Sequence, residues 1–322
     1  MLKVGIVGLG GMGTVHYSNY KHIDGAEVVA VCDPSITMEK AKEIGVAVYH
    51  NISEMIQKES LDIVDVCTPT FLHKQCVIEA LNNKVHVICE KPIALSKSDA
   101  TEMLELAKKQ GVKLFIGQVL QYARETIILK DIIRSNKYGK VLDAQFLRLS
   151  ARPRWITNGW LFDRDKSGLL PFDLHIHDLD LIVSVFGKPE DVSFTSVGRP
   201  ETNYKEHYRF TYLFKDLTIS AEAAWYNADF PFTATWRIYF ENAVLTNSSE
   251  GLIAYQFDKE PFIYDTEEEI KIPTGINLPP TGMFYYELSD FLNDIISKNY
   301  VGCQRETEIL KVIEILEGIN VS

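Results

Sequence analysis

Met1-Leu2-Lys3-Val4-Gly5-Ile6-Val7-Gly8-Leu9-Gly10-Gly11-Met12-Gly13 opens the chain, and its reading decides the fold. The run Val4–Val7 is too short for a helix and rich in Val and Ile, as a strand covered on both faces is. A G-x-G-x-x-G motif follows at once, and a helical pattern follows that. Such glycines allow a tight turn and let backbone N–H groups approach an anion, while the helix start directs its partial positive charge to the same place. Asp33 stands 20 residues after Gly13, at the end of the second apolar run. A carboxylate there accepts hydrogen bonds from the ribose hydroxyls of an adenine dinucleotide and repels a 2′-phosphate. No Lys or Arg follows until Lys40, so the expected cofactor is NAD, with NADP disfavoured.

Working outward, short apolar runs recur at Val28–Cys32, Ile63–Cys67, Val85–Cys89 and Leu114–Gly117, with helical stretches such as His73–Leu81 and Asp99–Lys109 between them. Ser96 with Asp99 three residues on resembles a capping box. Right-handed crossovers then give an α/β domain over residues 1–120, a Rossmann-type doubly wound parallel sheet. Beyond it, Gln145–Ser150, Asp191–Val197, Tyr208–Phe214, Thr218–Tyr226, Thr233–Phe240 and Ala243–Thr246 read as aromatic-rich strands, several alternating polar with apolar. This predicts an α+β domain over 121–322 with a mainly antiparallel open sheet, one face covered. Exposed aromatics on the other face would pair subunits into a homo-oligomer, a dimer or tetramer. Helical patterns at 284–298 and 304–317 close the chain.

Composition narrows the partners. Thirty-three basic against 44 acidic side chains leave a net charge of −11. That argues against nucleic acid, which wants clustered Lys and Arg, and against an anionic membrane surface. No stretch approaches the ~18 apolar residues of a membrane helix. The opening run reads as a strand rather than a secretory leader. Cys32, Cys67, Cys76, Cys89 and Cys303 are odd in number and form no C-x-x-C pair, which suits packing positions in a reducing cytoplasm.

Cys89-Glu90-Lys91-Pro92 ends the fourth of these runs, at the ligand edge of such a sheet. Together with the glycine fingerprint and Thr68-Pro69-Thr70-Phe71-Leu72-His73, it resembles the glucose–fructose oxidoreductase / inositol dehydrogenase group, the Gfo/Idh/MocA family. Ser167-Gly168-Leu169-Leu170-Pro171-Phe172-Asp173-Leu174-His175-Ile176-His177-Asp178-Leu179-Asp180 is similar to that family's glycine–Asp–x–x–x–His–Asp segment, and Phe284–Phe291 to its C-terminal helix. Gln121-Tyr122 stands where the family often has Arg before an aromatic, and Ser167-Gly168 where it has a glycine pair. The resemblance implies hydride transfer between NAD and a sugar, sugar derivative or cyclitol. It assigns Lys91, Asp173 and His177 as the catalytic trio and suggests a cis Lys91–Pro92 peptide.

The residues themselves support those roles. Asp173, His177, Asp180 and Ser184 recur at i, i+4, i+7 and i+11, a polar stripe flanked by apolar rows on one helix starting near Pro171. A stripe of His and carboxylates suits a wet cleft. Oxidising a secondary alcohol requires a base for the hydroxyl proton, and histidine titrates near neutrality, so His177 takes that role. Lys91 would stabilise developing alkoxide charge, and Asp173 would orient a substrate hydroxyl. The expected cofactor contacts are Gly8, Gly10, Gly11, Met12, Gly13, Asp33, Thr68, Pro69, His73, Glu90, Lys91 and Gln118. Thr68-Pro69 reads either as such a contact or as an ordinary strand-ending turn. Tyr122, Arg154 and Trp160 are candidates to stack on a sugar and bind its hydroxyls; Arg152-Pro153-Arg154-Trp155 reads equally as an anchor between domains. No metal is expected, because His175 and His177 diverge by about 200° on a helix; His175 reads as a packed residue and His16 as a structural one. A redox-neutral NAD-using sugar hydrolase and a non-catalytic NAD-binding regulator are the alternative functions.

Overall fold

The computed structural model describes residues 1–156, 158–276, 280–297, 302–303 and 305–321. The ends of the two closing helical patterns at Lys298 and Gln304 lie outside the described residues. The chain divides into two compact units, residues 1–122 with 268–313, and residues 123–267 with 314–322.

In the first unit, strands β1 (Leu2–Val7), β2 (Ala26–Cys32), β3 (Ala47–Tyr49), β4 (Ile63–Val66), β5 (His86–Glu90) and β6 (Leu114–Gly117) form one sheet, ordered β3-β2-β1-β4-β5-β6. All its pairings are parallel. Helices α1 (Gly11–Tyr20), α2 (Met38–Ile44), α3 (Ile52–Glu59), α4 (Thr70–Asn82) and α5 (Lys97–Gln110) make the crossovers. β4 is buried along its whole length, which explains its unbroken apolar reading. The Ser96 hydroxyl caps α5 by accepting the Asp99 N–H, and Gly111 ends it in the left-handed region. The three-residue edge strand β3 was not expected; it is too short to carry a period.

The second unit holds α6 (Arg124–Arg134), β7 (Val141–Ala151), the single turn α7 (Arg164–Ser167), a π-helical turn at Pro171–His175, and α8 (Ile176–Phe186). Strands β8 (Asp191–Val197), β9 (His207–Phe214), β10 (Leu217–Tyr226), β11 (Thr233–Phe240), β12 (Ala243–Ser248), β13 (Gly251–Tyr255) and β14 (Phe262–Tyr264) follow. With β7 they form an eight-stranded open sheet, ordered β14-β13-β12-β11-β7-β10-β9-β8, antiparallel except where β10 runs beside β7. β13 and β14 went unread in the sequence because neither alternates over a long enough run.

One expectation about this sheet is corrected. Register puts Phe194, Phe210, Ala221, Phe146 and Trp236 in one row across five strands, and Tyr212, Ile219, Ala144 and Ile238 in the next. Those rows are the covered face, where Phe146, Phe210, Tyr212 and Trp225 are buried. The opposite face is largely Thr, Ser, Arg and Glu, with Tyr239 its most exposed aromatic in β11. Most aromatics of these strands share the parity that packs beneath the helices, because a strand's side chains alternate faces.

Helix α9 (Met283–Ser297) falls in the first unit although it follows the second sheet in sequence, whereas the single boundary near 120 would leave it in the second. Leu288, Phe291, Leu292 and Ile295 join the core that holds Ile6, Ile88 and Phe115, and Phe291 stacks on Phe115 at 4.6 Å. The last helix, α10, spans Glu306–Val321. Among the described residues no helix is long and apolar enough to cross a membrane.

Candidate functional site

Because the first sheet is parallel, β1, β2, β4 and β5 end at one edge, and the strand order reverses between β1 and β4. Ligands of open α/β sheets bind beyond that edge at the reversal. The glycine loop leaves β1 into it. A Cβ on Gly13 would lie 2.0 Å from the Gly8 carbonyl oxygen, so a side chain there would push α1 off the loop. Above Gly10 and Gly11 nothing lies within 4 Å of such an atom. Gly10 caps α1 without a side-chain bond, and the first turn carries no acid. The helix thus offers its N-terminal amides and positive dipole end to open space, as an anion requires.

Asp33 borders the same space. Its Oδ2 accepts the Leu9 N–H at 2.8 Å, and its Oδ1 accepts the Ser35 N–H at 2.8 Å and the Ser35 hydroxyl at 2.7 Å. A carboxylate held this way retains acceptor capacity for a diol. The residues present therefore fit an adenine dinucleotide, with amides for the pyrophosphate and Asp33 for the ribose.

Further along the edge, Pro69 caps α4, whose first turn also lacks an acid. His73 is buried in α4 with both ring nitrogens 2.8 Å from main-chain carbonyls, those of Pro92 and Thr68. The ring lies between two turns, a single N–H on it can donate to only one of the two carbonyls at a time, and burial pushes its pKa down. Glu90 is buried; its Oε2 accepts the Lys91 N–H at 3.1 Å. Lys91–Pro92 is a cis peptide, and Gln118 is buried just beyond β6. Lys91 itself is half-buried.

In the second unit, Gly168 adopts φ +70°, and a Cβ there would meet the Phe172 ring at 2.4 Å. Ser167, in the segment similar to the family's glycine pair, is buried; its hydroxyl donates to the Leu161 carbonyl and accepts the Leu169 N–H. The chain then enters the π turn rather than the uniform α-helix expected from Pro171. Asp173 lies in that wider turn and His177 in the first turn of α8, so the 3.6-residue spacing assumed for the stripe does not carry from one to the other. Both are half-buried, whereas Asp180, expected on the same wet stripe, is 1% exposed. His175 is packed: its ring stacks on Phe210 at 4.0 Å, its Nε2 bonds the Tyr212 hydroxyl, and burial pushes its pKa down to about 3. Asp178 pairs with Arg148 in a buried two-point contact at 2.8 and 3.0 Å.

The substrate candidates are placed in both units. The Tyr122 hydroxyl donates to Asp290 at 2.7 Å, and its ring meets Phe291 edge-on. Arg154 is exposed and pairs with Asp229 at 3.0 Å. Trp160 begins a short 3₁₀ turn ending at Phe162. Arg152 instead covers the Phe162 ring at 4.0 Å and donates to Tyr204.

Residues 2–118 match the NAD-binding Rossmann-fold model of the Gfo/Idh/MocA oxidoreductase family, and residues 127–246 match that family's C-terminal domain model. The chain belongs to the Gfo/Idh/MocA family. Among its relatives, the 2,7-anhydro-N-acetylneuraminate hydratase of Mediterraneibacter gnavus is 35% identical over 191 residues, 59% of this chain and 51% of that protein. The myo-inositol 2-dehydrogenase of Thermotoga maritima is 32% identical over 197 residues, 60% of this chain and 57% of that protein. The chain thus spans about half the length of the curated relatives it matches. A solved levoglucosan dehydrogenase in complex with NADH and levoglucosan superposes with a TM-score of 0.84 at 18% identity, covering 99% of this chain and 96% of that one, which shows the shared fold.

This Gfo/Idh/MocA chain also holds a buried polar cluster that its sequence did not announce. His16 on α1 is fully buried, with Nδ1 2.8 Å from Asp65 on β4 and Nε2 3.0 Å from Glu90 on β5. Tyr20 donates to the same Asp65 oxygen at 3.0 Å. Glu287 on α9 is also fully buried, and burial, then Glu90, pushes its carboxyl well above the usual range. Reading His16 as structural captured its burial but not its partners. The signal was Asp65, a carboxylate inside the apolar run Ile63–Val66, which has to be answered by a donor.

Proposed function

We propose that this protein is an NAD-dependent dehydrogenase of CH–OH groups, transferring a hydride between nicotinamide and a secondary alcohol of a sugar, sugar derivative or cyclitol. The observation that carries the reading is the carboxyl edge of the first sheet, where the glycine loop, Asp33 and the Glu90-Lys91-Pro92 turn all leave parallel strands. NAD supplies the hydride acceptor when bound. The amides of Gly10, Gly11, Met12 and Gly13 would hold its pyrophosphate and Asp33 its ribose, with Thr68, Pro69 and Gln118 bordering it. NAD rather than NADP is the reading that Asp33 supports, since its carboxylate repels a 2′-phosphate.

The chain's own groups do the remaining work. His177 takes the hydroxyl proton during oxidation and returns it during reduction. Lys91 sets a cation against the oxygen on which alkoxide charge develops. Asp173 accepts a hydrogen bond from a substrate hydroxyl and orients it. Trp160 and the Tyr122 ring stack on a sugar face, and Arg154 bonds its hydroxyls. The dehydrogenases among the relatives favour a polyhydroxylated substrate. The hydratases favour a second reading, in which NAD oxidises and later re-reduces an anhydro sugar with no net redox change. The free cysteines, four of them buried, suit the cytoplasmic location this reading gives the protein.

The test is a panel of myo-inositol, glucose, glucose 6-phosphate and levoglucosan with NAD, followed by NADH absorbance. Turnover of one member is expected, and Lys91→Ala and His177→Ala should each lower kcat at least about 100-fold with NAD still bound. Loss of an anhydro sugar without NADH accumulation would favour the second reading. NAD binding without conversion of any member, and unaltered by His177→Ala, would leave only a regulator.

A further inference from the structure

The buried cluster beneath the Glu90-Lys91-Pro92 turn lies outside the substrate chemistry, and its geometry limits its protonation. A neutral imidazole carries one N–H, yet His16 bridges two carboxylates, Asp65 at 2.8 Å and Glu90 at 3.0 Å. Carboxylates only accept, so the bridge is complete when the ring carries both protons. The groups facing His16 are Asp65 on β4, Cys67 just beyond it, Glu90 on β5, Tyr20 on its own helix, and Glu287 on α9. Burial is the largest single effect and opposes a charge here, but Asp65 and Cys67, by their charge and their hydrogen bonds to the ring, together outweigh it and push the His16 pKa well above its ordinary range. Burial, and then Glu90, push the Glu287 carboxyl well above its usual range in the same core.

The second carboxylate leads to the reacting edge. Glu90 spends Oε1 on His16 and Oε2 on the Lys91 main-chain N–H at 3.1 Å. We propose that His16 is a positioning residue for Lys91: a buried imidazolium that bridges Asp65 and Glu90 and thereby fixes the Glu90 carboxylate on the Lys91 main-chain N–H. On the far side of the same dipeptide, His73 holds the Pro92 carbonyl at 2.8 Å. The turn is thus flanked on both sides, by His16 through Glu90 and by the His73 ring beside the Pro92 carbonyl. Stability alone does not call for such a device, because buried ion pairs contribute little beyond what apolar packing of the same volume would. The proposal rests on the reading of Lys91 as a residue that acts on substrate.

Two measurements test it. Histidine ring ¹⁵N spectra of the full chain, with His16 assigned by its loss in His16→Gln, should show both ring nitrogens protonated at pH 8; one bare nitrogen at that pH overturns the imidazolium. Kinetics with the panel substrate that turns over should show kcat about 10- to 100-fold lower in His16→Gln, with KM for NAD within about threefold, since the glycine loop and Asp33 are untouched. The double variant Lys91→Ala/His16→Gln should be no slower than Lys91→Ala alone, because His16 acts only through Lys91. Unchanged kcat in His16→Gln, or losses that multiply in the double variant, overturns the proposal while leaving the role of Lys91 intact. Full activity in Lys91→Ala overturns both. Should His16→Gln fail to fold, Glu90→Gln, which removes the charge on the link at nearly constant volume, is expected to reproduce the kcat loss, and unchanged kcat there overturns the proposal equally.

Discussion

Gly13 and Asp33 show how single residues shape the carboxyl edge of the first sheet. At Gly13 the obstacle is the Gly8 carbonyl oxygen, 2.0 Å from where a methyl group would sit, and backbone cannot swing aside as a side chain can. Gly13→Ala should therefore cost about 2–4 kcal/mol of stability and abolish NADH binding, read by thermal unfolding and by NADH fluorescence. Gly11→Ala, with nothing within 4 Å, should fold as well as the parent. A Gly13→Ala protein of parental stability would show that the loop does not pack as described. At Asp33 the carboxylate is held by Leu9 and Ser35. Asp33→Ser removes the charge that repels a 2′-phosphate, and should raise the NADP-to-NAD preference in kcat/KM at least about 10-fold; an unchanged ratio would mean that Asp33 does not face the ribose. Their places in the fold, a glycine at the packed turn and a carboxylate at the strand end, were legible in the sequence because spacing alone marks them. The partners of His16 were not, since Asp65 and Glu90 are 49 and 74 residues away and meet it only through the parallel sheet.

At the scale of an element, the π turn and α8 show what periodicity can and cannot convey. The helical spacing of Asp173 and His177 placed both on one element, yet it assumed 3.6 residues per turn. The structure inserts a wider turn at Pro171–His175, where that period does not hold. The same turn seats His175 against the aromatic face of the second sheet, which gives this element a pH signature. Burial, and then Arg148, depress His175 to about 3, so the native state excludes a proton that the unfolded chain takes up below about pH 6.5. Its contribution is complete above that pH and is lost as pH falls toward 3. Between pH 7 and pH 5 the loss from this group should be about 2 kcal/mol. Urea unfolding at the two pH values should show that extra slope in the parent and not in His175→Phe. Equal slopes would mean that His175 titrates freely in the folded protein. The alternation in β9 to β11 was read correctly as strand, but parity does not say which face is covered; the packing of Phe210 and Tyr212 against His175 decides it.

For the whole molecule, the net charge of −11 and the fit to a dinucleotide look opposed until the charges are located. The loop offers amides and a helix dipole instead of a basic patch, so a diphosphate needs no excess of lysine. Global charge weighs against long polyanions, whose many phosphates ask for many cations, and leaves a single small anion admissible. The sheet's polar face raises the remaining question of assembly. Register aligns Tyr239, Val244 and Tyr255 in one row and Arg237, Thr246, Ile253 and Ile263 in the next, with Tyr239 46% and Ile263 65% exposed. Such a mixed surface, apolar side chains set among Thr and Arg, suits an isologous contact in which each row meets its own copy across a two-fold axis. The expected species is a dimer or tetramer of the 36.6 kDa chain by sedimentation velocity at micromolar concentration. Tyr239→Glu combined with Ile263→Glu should shift it to monomer, because like charges brought face to face repel in an already acidic protein. NADH binding should survive that change, since the cofactor edge belongs entirely to the first unit. A parent chain that sediments as a monomer would remove the sheet from the list of interfaces and leave its exposed side chains as ordinary surface.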